Sequence, residues 1–135
     1  MLHRVVVADD VVELRSLVRI TLERSGHFEV VGEAGNGREA VEAAGMSHPD
    51  LVLLDISMPV MDGLEALPLI RVAAPDAVIV MLSGFSEARL GEDARAGGAT
   101  AYLEKGVPPR ELVRRLLEVM DGDGAGAPPR RRPVA

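Results

Sequence analysis

The sequence has no cysteine and no tryptophan, and its only aromatics are Phe28, Phe85 and Tyr102. Without cysteine there is no disulfide scaffold, no thiol nucleophile and no thiolate metal site. Three aromatics are too few for a platform that stacks single-stranded bases. Lysine is nearly missing as well: of 15 cationic side chains, all but Lys105 are arginine. A compositional drift toward arginine explains the lysines that are absent, but not the one that is kept. Positive charge is in deficit overall, with a net of −6, which argues against direct nucleic-acid binding. Long apolar runs are lacking too, so no segment is expected to span a membrane. The first apolar run, Val5 to Ala8, is too short for the hydrophobic region of a signal peptide. The expected location is the cytoplasm, which also suits a chain without cysteine.

What is present is a chain of one-domain length, 135 residues, with 47% hydrophobic residues, too many for a disordered protein. Five short apolar runs recur: Val5–Ala8, Phe28–Val31, Leu51–Leu54, Val78–Leu82 and Ala101–Leu103. Most are continuous rather than alternating, the pattern of strands buried on both faces. Segments of helical period separate them. Asp10 to Arg24 carries Leu14, Leu17, Val18 and Leu22 on one face. Gly37 to Met46 carries Ala40, Val41 and Ala44. Gly63 to Ala73 follows Asp62, an N-cap candidate, and holds Pro68, which predicts a local kink. Ser86 to Ala96 is the weakest, with Gly91 and few large apolar residues. Pro109 to Met120 opens on a proline, where a missing N–H costs little. Strand then helix, repeated, predicts an α/β fold with a parallel sheet covered on both faces.

After Met120 the composition turns to Gly, Pro and Arg without periodicity. Residues 121–135 therefore read as a disordered tail or a truncated linker, and residues 1–120 as the domain. Residues 1–120 carry a net −7, since the tail has Asp121 and Asp123 against Arg130, Arg131 and Arg132.

Ligands of open parallel sheets bind beyond the carboxyl ends of the strands. Asp9 and Asp10 follow the first run, Asp55 the third, Ser83 the fourth and Lys105 the fifth. Each alone is an ordinary cap or turn residue; together they place three carboxylates, a hydroxyl and the sole lysine at one rim. Three carboxylates in close proximity repel one another unless a cation joins them. Oxygen donors without His or Cys favour Mg²⁺ or Mn²⁺. With Lys105 added the formal charge is zero, and such a site can accept a phosphoryl group, with a carboxylate as nucleophile and Ser83 bonding a phosphoryl oxygen.

Four stretches then carry a resemblance. They are Val7-Ala8-Asp9-Asp10, Leu53 to Gly63 (LLDISMPVMDG), Met81-Leu82-Ser83-Gly84 and Tyr102-Leu103-Glu104-Lys105-Gly106. In this order and spacing the chain resembles a two-component response-regulator receiver domain, similar to the chemotaxis receivers and stand-alone at this length. The resemblance implies a doubly wound, flavodoxin-like (βα)5 fold with five parallel strands in the order 2-1-3-4-5. It implies that Asp55 is the phosphoacceptor and Lys105 its phosphoryl partner. Asp10 would bind Mg²⁺ directly, Asp9 largely through water, and Ser57 through its backbone carbonyl. Ser83 would be the switch hydroxyl and Tyr102 the switch aromatic, its ring turning inward as Ser83 moves. The implied partners are a sensor histidine kinase or phosphotransfer protein and a downstream effector. The effector would dock on the face of the fourth helix, fifth strand and fifth helix, with the chain a monomer or a phosphorylation-dependent dimer. Such a module is not an enzyme in the ordinary sense, since it catalyses only its own phosphorylation and dephosphorylation.

Other readings compete. The chain could be the receiver half of a longer DNA-binding transcriptional regulator. An aspartyl-phosphate phosphatase would want a second Asp two residues past the nucleophile, and Ser57 stands there. A flavodoxin-like cofactor binder would not put Asp9-Asp10 where a phosphate must sit.

Overall fold

The computed structural model describes residues 1–122, so most of the segment expected to be disordered lies outside the described residues. The elements alternate in chain order: β1 (His3–Ala8), α1 (Val12–Arg24), β2 (Phe28–Ala34), α2 (Gly37–Ser47), β3 (Leu51–Leu54), α3 (Gly63–Ala73), β4 (Val78–Ser83), α4 (Glu87–Gly97), β5 (Ala101–Glu104) and α5 (Pro109–Met120). The five strands form one parallel sheet in the order β2-β1-β3-β4-β5. This is the architecture expected from the sequence, with β2 and β5 as the edges.

The strand residues divide between two cores by simple alternation. Val6, Ala8, Val52, Leu54, Ile79 and Met81 face α2, α3 and α4. Val5, Val7, Leu51, Leu53, Val78 and Val80 face α1 and α5, where Leu22, Leu112 and Leu116 meet them. The near-continuous apolar runs are thus explained: both faces of the central strands are covered.

Four strand ends extend past the apolar runs: β1 begins at His3, β4 ends at Ser83, and β2 and β5 run on as well. β2 continues through Val31, Gly32 and Glu33 to Ala34, with a register slip between Val5 and Val6 that leaves Val31 as the extra residue. β5 includes Glu104, which pairs with Ser83. Polar residues at the ends of an apolar run hid these extensions.

Helix starts follow their local chemistry. Asn36 accepts from the Glu39 N–H at 2.9 Å, and Ser86 from the Arg89 N–H at 3.3 Å. Asp62 and Glu65 form a reciprocal capping box at the start of α3. α3 is continuous through Pro68, which sits on its exposed side. The weak composition of α4 has a packing reason. A Cβ on Gly97 would lie 2.9 Å from Leu67, so the small residue lets α4 approach α3 closely. Arg71 of α3 secures the junction, donating to the Gly98 carbonyl at 2.7 Å and to the Ala77 carbonyl.

The α1 stripe departs from expectation. Leu22 is buried, but Leu14 and Leu17 are 40% and 56% exposed. They border an open apolar cavity of about 270 Å³, with Val107 and Leu112 on its far side and Asp9 and Lys105 also lining it. Helical spacing of apolar residues marks a face; it does not say that the face is covered.

Between β3 and α3 the chain makes a tight turn. The Met61 N–H donates to the Pro59 carbonyl at 2.7 Å, around Val60 at φ 69°. A β-branched residue in this region costs roughly 1–2 kcal/mol. Val60 is 78% exposed, so no burial of its side chain offsets that cost.

Candidate functional site

The parallel sheet delivers the carboxyl ends of β1, β3, β4 and β5 to one rim. Asp9 follows β1 and donates its N–H to the Ala34 carbonyl at the end of β2. Asp55 follows β3 and donates to the Ala8 carbonyl. Lys105 follows β5 and donates its N–H to the Ser83 carbonyl at 2.7 Å. These backbone bonds extend the sheet ladder by one residue, which fixes the root of each side chain.

The side chains converge. Lys105 Nζ donates to Asp9 Oδ2 at 2.9 Å and to Asp55 Oδ2 at 3.1 Å. Asp9 and Asp55 are both 5% exposed, whereas Asp10 is open to solvent. Carboxylate oxygens of all three Asp residues lie within 4.8 Å of one another. One ammonium therefore bonds two of the three clustered carboxylates. Burial pushes the Asp55 carboxyl above its ordinary pKa; Lys105 opposes the rise and Asp9 adds to it. Burial alone would lower the pKa of Lys105, but the hydrogen bond to Asp9 and the charge of Asp55 outweigh it and hold the ammonium above its ordinary value.

The donor set fits a hard divalent cation. It offers only oxygen, carries excess negative charge, and has one exposed member that leaves room for water. The three carboxylates could hold such an ion.

The raised Asp55 pKa carries a stability consequence. A carboxyl whose folded pKa exceeds its unfolded value supports the fold at low pH and loses that support as pH rises through the folded value. Ionised Asp55 therefore costs stability at neutral pH without a metal ion. Asp55→Asn is expected to raise Tm by a few degrees at pH 7 in chelator. The gain should vanish as pH falls toward about 4, the usual Asp range. Thermal melts across that pH window check it; a variant less stable than the parent at pH 7 would refute it.

The remaining expected residues are placed differently. Ser83 is fully buried, and its Oγ accepts from the Phe85 N–H at 3.1 Å. Tyr102 is 3% exposed with its ring turned inward, and its hydroxyl donates to the Phe85 carbonyl at 2.8 Å. Ser83 and Tyr102 thus hold the two polar groups of one residue, Phe85, whose ring lies 5.4 Å from the Arg89 guanidinium of α4. Ser57 is exposed in the loop two residues past Asp55.

Sequence reasoning missed the residues that brace this site. Gly63 lies so close to β3 that a Cβ there would be 2.1 Å from the Asp55 carbonyl oxygen. Gly37 bonds the Met61 carbonyl at 2.8 Å, tying the loop to α2. Glu104 accepts from the Glu87 N–H at 3.1 Å and caps α4 from the neighbouring strand. Gly37 and the Asp62-Gly63 pair read as helix starts, and Gly63 and Glu104 fall in the stretches that carry the resemblance, but none of these signals reports a bracing contact.

Comparison with known proteins agrees with this geometry. The family model of the response regulator receiver domain matches residues 5–117. The chain is 40% identical over 105 residues to chemotaxis protein CheY of Bacillus subtilis, covering 78% of this chain and 87% of that protein. It is 43% identical over 111 residues to the transcriptional regulatory protein PdtaR of Mycobacterium tuberculosis, covering 82% of this chain. The chain spans only about half of that relative, 53% of its length. Among solved structures, the NarL receiver domain from Mycobacterium tuberculosis superposes with a TM-score of 0.84 at 34% identity, over 90% of this chain and 98% of that one. The CheX–CheY complex with BeF3 and Mg²⁺ from Borrelia burgdorferi gives a TM-score of 0.80 at 28% identity, over 87% and 88%. Among the described residues, no helix is long and apolar enough to cross a membrane. Rim chemistry, strand order and family match agree, and the chain belongs to the response-regulator receiver domain family of two-component systems.

Proposed function

We propose that this receiver accepts a phosphoryl group on Asp55 from the phosphohistidine of a sensor histidine kinase or phosphotransfer protein. The observation that carries the reading is the single ammonium of Lys105 shared between two buried carboxylates, with exposed Asp10 completing the cluster. An Asp55 oxygen attacks phosphorus, the P–O bond forms as the P–N bond breaks, and the imidazole leaves with the electron pair and takes a proton from water. Lys105 follows the charge from the carboxylate to the phosphoryl oxygens. Asp9, Asp10, Asp55 and the Ser57 carbonyl would hold Mg²⁺, which supplies neutralisation of the phosphoryl charge. The magnesium and BeF3 of the Borrelia CheY complex support this for that relative.

The response runs through Phe85. Ser83 turns toward the new phosphoryl oxygens and releases the Phe85 N–H that its Oγ now accepts. The Phe85 carbonyl is the acceptor of Tyr102, so the loop, the Tyr102 ring and the start of α4 move as one. The face of α4, β5 and α5 then changes its fit to an effector, in a monomer or a phosphorylation-dependent dimer. The signal is as large as the effector's preference for one state over the other. The module works in the cytoplasm and catalyses only its own phosphorylation and dephosphorylation.

Incubation with acetyl phosphate and Mg²⁺, read by intact mass, tests the assignment. The parent is expected to gain one phosphoryl group and Asp55→Asn none. No gain in the parent, or an equal gain in the variant, would overturn it.

Coverage of half of PdtaR, a transcriptional regulatory protein, favours a second reading, in which this receiver is part of a longer regulator, with a linker at 121–135 and a DNA-binding output as its proposed form. The reading frame beyond Ala135 decides between the two.

A further inference from the structure

Asp9 has a partner for every polar atom. Its Oδ1 accepts from the Val11 N–H at 2.9 Å, its Oδ2 from Lys105, and its N–H donates to Ala34. Its backbone carbonyl accepts from Arg15 Nη1 at 2.7 Å. Asp10, by contrast, is exposed, and no hydrogen bond to its carboxylate is found among the described residues. Its placement depends on the backbone that leads into it. The peptide between Asp9 and Asp10 has its carbonyl held by Arg15 alone.

Arg15 is itself braced. Its Nε donates to Glu33 Oε1 at 3.0 Å, while Arg19 donates to Glu33 Oε2 at 3.1 Å. Arg15 is 18% exposed and Glu33 30%. A planar guanidinium can bond two acceptors through different nitrogens at a fixed angle, here a carbonyl of the β1–α1 loop and a carboxylate of β2. Glu33 is shared with Arg19, so it offsets the charge of Arg15 only in part.

We infer that Arg15 is a positioning residue that sets metal affinity by fixing the Asp9–Asp10 peptide, and that Glu33 keeps Arg15 oriented. The inference rests on the metal-assisted reading above. Groups that orient ligands from behind change metal affinity by about tenfold or more when removed. Arg15→Met should leave the carboxylates in place but release the peptide that aims Asp10. Arg15→Lys should not restore affinity, because one ammonium cannot span both acceptors in the same geometry.

The test is Mn²⁺ binding by electron paramagnetic resonance, paired with the Mg²⁺ dependence of phosphorylation by acetyl phosphate. Arg15→Met is expected to raise the Mn²⁺ Kd about tenfold, and the Mg²⁺ concentration for half-maximal rate by a similar factor, with the loss recovered at saturating Mg²⁺. Glu33→Gln, which keeps the side-chain size, should shift both in the same direction and serves where Arg15→Met does not fold. A folded Arg15→Met with the Mn²⁺ Kd of the parent, or a loss that saturating Mg²⁺ does not recover, would overturn the role of Arg15. A parent that binds no Mn²⁺ would instead overturn the metal site itself, and this inference with it.

Discussion

Gly63→Ala is expected to cost about 3 kcal/mol and to abolish phosphoryl gain at Asp55. The added Cβ would stand 2.1 Å from the Asp55 carbonyl oxygen and 2.9 Å from both its carbonyl carbon and Ile56 Cα. All three are backbone atoms, so no side-chain rotation relieves the overlap. The first turn of α3 must move out. That movement breaks the 2.8 Å bond from the Gly63 N–H to the Ile56 carbonyl and disturbs the Asp62–Glu65 capping box. It also drags the peptide that carries Asp55. Gly84→Ala is the control: a Cβ there meets nothing within 4 Å, and its change should stay within about 0.5 kcal/mol. Urea denaturation and intact mass with acetyl phosphate measure both. Equal stability of the two variants would show that α3 can shift freely.

Lys105→Met is the second large expectation. It should destabilise the fold by about 3 kcal/mol at neutral pH, as expected when one partner of a buried ion pair is removed. Asp9 and Asp55 would remain buried with no cation between them. The Asp55 carboxyl, already raised by burial, then loses the cation that opposes the rise, and protonation becomes the cheaper way to neutralise the site. The deficit against the parent is therefore greatest at neutral and higher pH. It shrinks as pH falls through the raised Asp55 value toward the unfolded Asp value of about 4. Urea melts at neutral and acidic pH read the difference. A deficit independent of pH would assign the loss to packing of the alkyl stem instead. Lys105→Arg separates charge from shape: it should recover part of the stability but not normal transfer, because the guanidinium differs in reach and geometry.

These two residues differ in how legible they are. Lys105 was visible as the sole lysine of an arginine-rich chain, placed at a strand end. Asp9, Asp10 and Asp55 were visible for the same reason, because parallel strands spaced by helices must align their carboxyl ends. Gly63 was not, since close approach between α3 and the Asp55 carbonyl depends on how a helix docks against a sheet. Arg15 and Glu33 were invisible for a related reason. They lie 18 positions apart and meet only because β2 pairs with β1. The α1 stripe shows the reverse error. Leu14 and Leu17 carry the apolar period of a core face, yet among the described residues both stay exposed. Local pattern reports what a segment offers; the neighbouring elements decide what is used.

Among the described residues the sheet has two unpaired edges, and each carries exposed carboxylates: Glu29 and Glu33 on β2, Glu104 on β5. Unpaired strand edges invite other copies of the chain to add on, and charge at the edge discourages it. Glu33 and Glu104 have a second duty in this fold, one holding Arg15 and the other capping α4. Resistance to edge-to-edge aggregation is thereby built into the same side chains that shape the site. A chain that drifts toward apolar residues at these two positions is expected to lose colloidal solubility together with the brace on Arg15 and the cap on α4.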